Sequence, residues 1–434
     1  AFYMCDSLRS VTFTCDVDSI CGFAFSGCPN LSELTLQKVG YIGENAFSGT
    51  DIFSLTLQEG LDSIGDNAFY SCDKLRAFHM PNSVVKMGKQ MFMYCGSLSE
   101  VTLSSGLTEL PDETFRGCEQ LHDLTLPSGI KRIGANAFYS CPATPQLPEG
   151  LVEIGAGAFS DYGAPTIELP SSLRIIGNGA FSYTDLTSIV IPEGVDSVGY
   201  TTSMGGGGAF QRCKYLRSAV IPSTLKRISP YMFDGCERLT DVTIAEGIEE
   251  IGDGAFKGCV ALETLDLPAS LRGVGYQALA ECSTLSTIVL PEGLTTIGEE
   301  AFRDDEALAT ATLPSTLTEV GRGAFMGCSG LTSLYVAAAT PPTAYVNSFL
   351  DVDVEKCTLY VPEGAVDVYS AAPYWQDFLR ITDERPVGIG NVTVGPEPNV
   401  VGRYGIDGRP VAEGERGVQI LRMSDGTWRK VMVK

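Results

Sequence analysis

Side chains able to make or break bonds are few in this chain and are badly placed to act together. Two histidines, His79 and His122, are the only imidazoles among 434 residues, and they fall ten and seven residues after Phe69 and Phe115 respectively. A Ser-His-Asp triad or a histidine metal site needs its rings gathered at one point; these two occupy different places in a recurring pattern and should not converge. Fourteen cysteines supply sulfur, yet no C-x-x-C pair occurs, so the strongest zinc and redox spacings are missing. Gly205-Gly206-Gly207-Gly208 is glycine-rich, but no Gly-Lys-Ser/Thr follows it to hold a phosphate, and Tyr200–Gly208 reads as a flexible bulge. Asp16-Val17-Asp18 and Asp351-Val352-Asp353-Val354-Glu355 offer carboxylate oxygens without the spacing of a calcium loop, and read as solvated acidic turns. Glu33, Glu100, Asp123, Glu168, Asp241, Glu263 and Asp266 share one part of the pattern, where a pair such as Glu263 and Asp266 would be the raw material of a glycosidase. Two acids at a workable separation are common on any acidic surface, so no catalytic residue, cofactor site or metal site is assigned.

Charge narrows the classes of partner. With 30 Lys+Arg against 53 Asp+Glu the net charge is −23, which argues against nucleic acid, since a phosphate backbone needs a basic stripe. No run of about 18 apolar residues exists to cross a membrane as a helix. The first residues, Ala1-Phe2-Tyr3-Met4-Cys5, are neither an initiator start nor a signal peptide, and the chain opens in mid-pattern, so an upstream piece is expected.

The elements that must position these side chains repeat. Phe2, Phe25, Phe47, Phe69, Phe92, Phe115, Phe138, Phe159, Phe181, Phe210, Phe233, Phe256, Leu279, Phe302, Phe325 and Phe349 are separated by fifteen gaps, of which nine equal 23 and one, of 29, is the only large departure. The unit from Leu239 shows the parts: alternating Val242 and Ile244, a turn at Glu246-Gly247, a second short run ending at Ile251-Gly252, then Ala255-Phe256 and Cys259. Alternation with a period of two predicts a strand, and the prolines that often follow it, such as Pro127, Pro222 and Pro291, turn the chain off the ladder. A glycine recurs four residues before the phenylalanine, as Gly43, Gly155 and Gly298, for either a positive φ or a close approach between coils. One such unit cannot bury enough to order itself: six buried side chains give roughly 9–18 kcal/mol against roughly 23–46 kcal/mol of backbone entropy. Stacking closes the gap. The fold class is therefore a mainly β repeat solenoid of ~23-residue units, with a body about 70 Å long at ~4.8 Å per coil.

Eleven cysteines lie three residues after the repeating aromatic or Leu279, for example Cys118, Cys236 and Cys328. Thr50, Tyr162, Thr184 and Asp305 occupy the same column, so a small buried hydrophobe is the reading, with an occasional disulfide between rungs, such as Cys118 to Cys141, left open. Cys15, Cys21 and Cys357 fall outside the column and are the better candidates for pairing or reactivity. A second column lies between the two inward strand positions. It runs Thr35, Thr56, His79, Thr102, Thr125, Glu168, Val190, Val220, Thr243, Asp266, Val289, Thr312, Tyr335 and Tyr360 and should point outward, opposite to the leucines. Its threonines suit any strand. Val190, Val220, Asp266, Val289, Tyr335 and Tyr360 are the candidate binding face, since exposed apolar and aromatic contacts mark interfaces.

Leu121-x-x-Leu124-x-Leu126-Pro127 resembles a leucine-rich repeat core, although the asparagine that usually follows the last strand leucine is absent. The combination Leu-Pro-x-x-Leu-x-x-Ile-Gly-x-x-Ala-Phe, seen from Leu290 to Phe302, with a cysteine three residues further on in most units, resembles the BspA-like repeats of bacterial surface proteins. Leu359-Tyr360-Val361-Pro362-Glu363-Gly364 with Tyr369 and Trp375-Gln376-Asp377-Phe378 is similar to that family's closing segment. The domains expected are a solenoid over 1–339, a terminal cap over 340–382 and a small β-module over 386–434. Trp375 in the cap is expected to cover the last coil, against the alternative of a ligand platform. Val400–Tyr404, Asp407-Gly408, Val411, Val418–Met423, Ser424-Asp425-Gly426 and Trp428–Val433 read as four strands with two tight turns, similar to the C-terminal β-modules of exported Bacteroidetes proteins, some of which serve sorting or anchoring. The resemblance implies a secreted or cell-surface protein that binds host matrix or other cell-surface proteins, with no catalytic residue, cofactor or metal. An envelope scaffold assembling with its own kind is the alternative, and a carbohydrate-acting hydrolase a more distant one.

Overall fold

Each unit must reverse direction within a few residues around its phenylalanine, and the backbone does this with two left-handed residues. They stand two before and two after the ring, as in Asn45 (φ 53°) and Gly49 (φ 67°) around Phe47, or Asn67 (φ 54°) and Ser71 (φ 50°) around Phe69. Asparagine and glycine recur there because they tolerate this conformation at least cost. The ring is thereby turned inward, and the next coil repeats the turn directly above.

The computed structural model describes residues 2–199 and 207–384 and the strands Val400–Gly405, Gly417–Met423 and Trp428–Val433. Two compact units are found, Ala1–Asp383 and Glu384–Lys434. In the first, nearly every element is a short strand paired in parallel with its equivalent one coil away. The first strand of each unit builds one ladder, in which Ser218–Ile221 pairs with Asp241–Ile244, Thr310–Leu313 with Ser333–Val336, and Thr358–Tyr360 with Arg380–Thr382. The second strand builds another, continuous from Glu109–Leu110 to Ser197–Val198 and from Arg227–Ile228 to Thr343–Ala344. A β-solenoid of leucine-rich-repeat type results. A single short helix, Val366–Ser370, interrupts it among the described residues.

Between the ladders runs the phenylalanine column. Adjacent rings from Phe2 to Phe256 stack with centroids 5.1–6.0 Å apart; Leu279 takes one place, and Phe302, Phe325 and Phe349 continue. The recurrence in sequence is a translation in space. The column ends where Trp375 and Phe378 pack against Phe349 at 5.0 and 5.1 Å. Trp375 is buried, and its Nε1 donates to the Pro342 carbonyl at 2.8 Å, so its ring faces the last coil rather than a ligand.

The repeating glycine answers to close approach. At Gly43 φ is not positive, and a Cβ would lie 2.4 Å from the Gly22 amide nitrogen of the preceding coil. The Glu-Gly turns are also tied from coil to coil, as at Ala245-Glu246-Gly247. Gly247 N donates to Ser270 Oγ (2.9 Å), which donates to the Ile248 carbonyl (2.7 Å), while Glu246 accepts from the amides of Ala269 and Ser270 at 3.2 and 3.3 Å.

The second unit is a three-stranded antiparallel sheet with Gly417–Met423 in the centre, pairing Gly405 with Gln419 and Gly417 with Val433. The expected turns at Asp407-Gly408 and Ser424–Gly426, the fourth strand near Val411 and most of the Tyr200–Gly208 insertion lie outside the described residues.

Candidate functional site

The chemically capable side chains are absorbed by the stack. His79 lies on the outer ladder face, with Nδ1 3.2 Å from Thr102 Oγ1 and Nε2 3.8 Å from Glu100, while His122 is exposed on a later coil. No group of three His, Cys, Asp or Glu gathers as a metal site among the described residues. Within the acidic stretch 351–355, Asp353 accepts from the Lys356 amide at 3.2 Å and ammonium at 2.6 Å, and the ammonium holds its carboxyl below the usual range. Glu263 and Asp266 are both exposed.

The cysteine column has a polar task beyond filling space. Nine of its eleven thiols reach back to the phenylalanine carbonyl of the preceding coil, among them Cys95 to Phe69 at 3.0 Å, Cys118 to Phe92 at 3.1 Å, Cys236 to Phe210 at 3.2 Å and Cys328 to Phe302 at 3.0 Å, while Cys5 and Cys141 turn to the Tyr3 and Leu121 carbonyls. The S–H is thus a second donor to a carbonyl that already accepts the amide three residues on, as Cys95 N does to the Phe92 carbonyl at 3.0 Å. All fourteen cysteines are unpaired, Cys118 and Cys141 included. Burial pushes the Cys118 thiol well up and that of Cys141 to about 12. Of the three outside the column, Cys15 and Cys21 are exposed. Cys357 departs from the sequence reading: it is buried, and burial raises it to about 12, so it is no accessible nucleophile.

The outer face of the first ladder gathers the candidate binding residues into two registered runs. Val190 pairs with Val220, and Val220 with Thr243; Val289 pairs with Thr312, Thr312 with Tyr335, and Tyr335 with Tyr360. Val190 is 62% exposed, Val220 36% and Val289 47%. Asp266 is exposed between the two runs, on a coil that meets the next in this ladder through a Thr264–Thr287 bridge rather than a full strand pair. Tyr335 departs from the expectation of an exposed side chain. It is buried, with its ring 4.4 Å from that of half-buried Tyr360 and 8° from parallel, so its own neighbours use the surface it would offer.

The periodicity does not foretell where this ladder opens. Between Glu100–Thr102 and Ser188–Val190 three successive coils form no strand on this side, although the second ladder and the phenylalanine column run past unbroken. A groove of about 740 Å³ lies there, walled by 144–149 and 164–170. The signal is in the spacing. Cys118 to Pro127 spans 127 − 118 = 9 positions, whereas Cys141 to Pro148 spans 148 − 141 = 7, with Pro145 lacking a ladder amide in between.

The family model for BspA type leucine-rich repeat regions matches residues 1–122, 108–202 and 206–332 in six copies. A leucine-rich repeat protein from Bacteroides ovatus is 26% identical, superposes with a TM-score of 0.62, and covers 84% of this chain and 86% of its own. A leucine-rich cell surface protein from Faecalibacterium prausnitzii is 25% identical with a TM-score of 0.42, covering 74% of this chain and 83% of its own. The pneumococcal vaccine antigen PcpA is 17% identical with a TM-score of 0.44, covering 89% and 91%. No curated protein matches the chain.

Proposed function

The chain belongs to the BspA-type leucine-rich repeat family, and from that premise we propose that it is a secreted or cell-surface protein that binds other proteins through the outer face of its first ladder. The partners proposed are host matrix or other cell-surface proteins, and the mode is adhesion without bond-making residues, cofactor or metal. The observation that carries the reading is the registered pair Val190 and Val220, two exposed aliphatic side chains side by side on a backbone fixed by parallel pairing. Full burial of a valine contributes about 1.5–3 kcal/mol, whereas association costs at least ~4 kcal/mol. Two valines alone hold nothing, and affinity must sum along many coils of the face. No helix among the described residues is long and apolar enough to cross a membrane. Support for display at the surface comes from the family.

The test is capture of matrix proteins and of intact cells by the immobilised full chain. Recovery that falls when Val190 and Val220 are replaced by aspartate supports the reading. Capture of nothing from either source counts against it.

A further inference from the structure

We propose that the groove in the opened ladder binds an extended peptide segment carrying a basic side chain, held by backbone pairing and by Glu149 and Glu168. This deepens the protein-binding reading and rests on it. Three observations converge. First, the amides of Gln146, Leu147, Ile167, Glu168 and Leu169 make no hydrogen bond to another described residue, and the backbone bonds that bridge coils nearby are those of Thr144 N to the His122 carbonyl (3.3 Å), Asp185 N to the Tyr162 carbonyl (3.1 Å) and Thr187 N to the Pro165 carbonyl (2.9 Å). Elsewhere the same positions are closed, as where Leu290 N donates to the Thr312 carbonyl at 2.9 Å. Unpaired strand-like backbone is a template for an added strand.

Second, the opening is built into the stack. The seven-position spacing and Pro145 shorten one wall, while stacked rings at 5.1 and 5.5 Å around Phe159 hold the coils beneath in place. A guest therefore meets a preformed slot and loses little to ordering it. Third, the charge is one-sided. Glu149 and Glu168 line the groove and no lysine or arginine does; Glu168 has no ion pair or hydrogen bond, and Glu149 only a 3.3 Å contact from Ser171. A cationic side chain is the complement. An oligosaccharide fits less well, because Tyr162, the one aromatic ring in the lining, is buried and offers no stacking platform.

The experiment exposes the labelled full chain to an array of random decapeptides and, separately, to an array of neutral oligosaccharides. Recovered peptides should be rich in Lys or Arg and in β-branched residues. Glu168→Lys should weaken them about 5–10-fold at low salt, and N-methylation of alternate amides in a recovered peptide should abolish binding while a Val289→Asp variant binds as before. The proposal is overturned if the array recovers no peptide, if binding follows Val289 and ignores Glu168, if N-methylation is harmless, or if oligosaccharides bind in a Glu168-dependent way. In the first two outcomes the capture of whole proteins by the ladder face still stands or falls on its own assay.

Discussion

Asp305 offers the sharpest perturbation of the column that holds the coils together. It stands three residues after Phe302, where most units place a cysteine, between Cys282 and Cys328. Its Oδ1 accepts the Cys282 amide at 2.8 Å, but Oδ2 is buried without a partner. Burial, then the charges of Asp304 and Glu281, raise its pKa well above the ordinary carboxylate value, against the opposing Cys282 hydrogen bond. The folded state therefore binds the proton more tightly than the unfolded state. Its ionisation adds no cost below the unfolded value near 3.9, adds progressively more as the pH rises toward the folded pKa, and adds its full amount above that. Asp305→Cys restores a donor of the kind seen at Cys236 and removes the orphan oxygen. An unsatisfied buried polar group costs about 1–3 kcal/mol, so the variant should be more stable than the parent by about that amount at pH 7, with the difference shrinking toward pH 4. Because a long array opens in parts, the assay is hydrogen exchange over that pH range at the Leu279 and Phe302 amides, which bond to the Ala301 and Ala324 carbonyls and not to Asp305, beside urea unfolding of the full chain. A variant no more stable at pH 7, or a difference that ignores pH, would refute the reasoning.

The remaining predictions follow from the same geometry. Phe256→Ala, which empties a site stacked on Phe233 at 5.5 Å, should cost about 3–5 kcal/mol in urea unfolding; a loss below about 1 kcal/mol would mean that the ring is not core. Gly177→Ala would set a Cβ 2.4 Å from the Ala156 amide nitrogen, so it should cost at least about 1–3 kcal/mol and perturb the coil on its amino-terminal side, read by amide exchange. Alkylation of the native protein at pH 8 should label Cys15 and Cys21 within the time that leaves Cys118, Cys141 and Cys357 unmodified. Burial opposes ionisation of Asp112, but its bonds to Lys89 (2.8 Å) and Arg132 (2.9 Å) outweigh it and lower the pKa. Its contribution should therefore be present above the unfolded value near 3.9 and be lost as the pH falls through the folded pKa, a loss that Asp112→Asn should not show.

Much of this architecture was legible because a repeat writes each constraint many times. Phenylalanines spaced by 23 and alternating pairs such as Val242 and Ile244 carry both the stack and the inward strand face. What escaped depends on neighbours in adjacent coils rather than on the unit. Glycine at Gly43 is compatible with a turn or with a close contact, and only the 2.4 Å approach of the Gly22 nitrogen decides. The cysteine column reads as apolar filling, since nothing in one unit reveals that the Phe92 carbonyl accepts the Cys118 thiol as well as the Cys95 amide. Tyr335 and Cys357 are buried by what packs over them, which outward alternation does not register. The opened ladder came from two missing positions and one proline, a deviation too small to stand out against the period yet large enough to release the backbone of three coils.

The claim that one face of the stack does the binding is tested most directly by comparing two charge insertions in the capture of intact cells. Val190→Glu with Val220→Glu alters the first ladder's outer face, and Ile175→Glu, at a side chain 39% exposed on a second-ladder strand, alters another. With circular dichroism unchanged in both, the account predicts that the valine pair loses capture and the isoleucine variant keeps it. Capture kept by the valine pair and lost at Ile175 would contradict it.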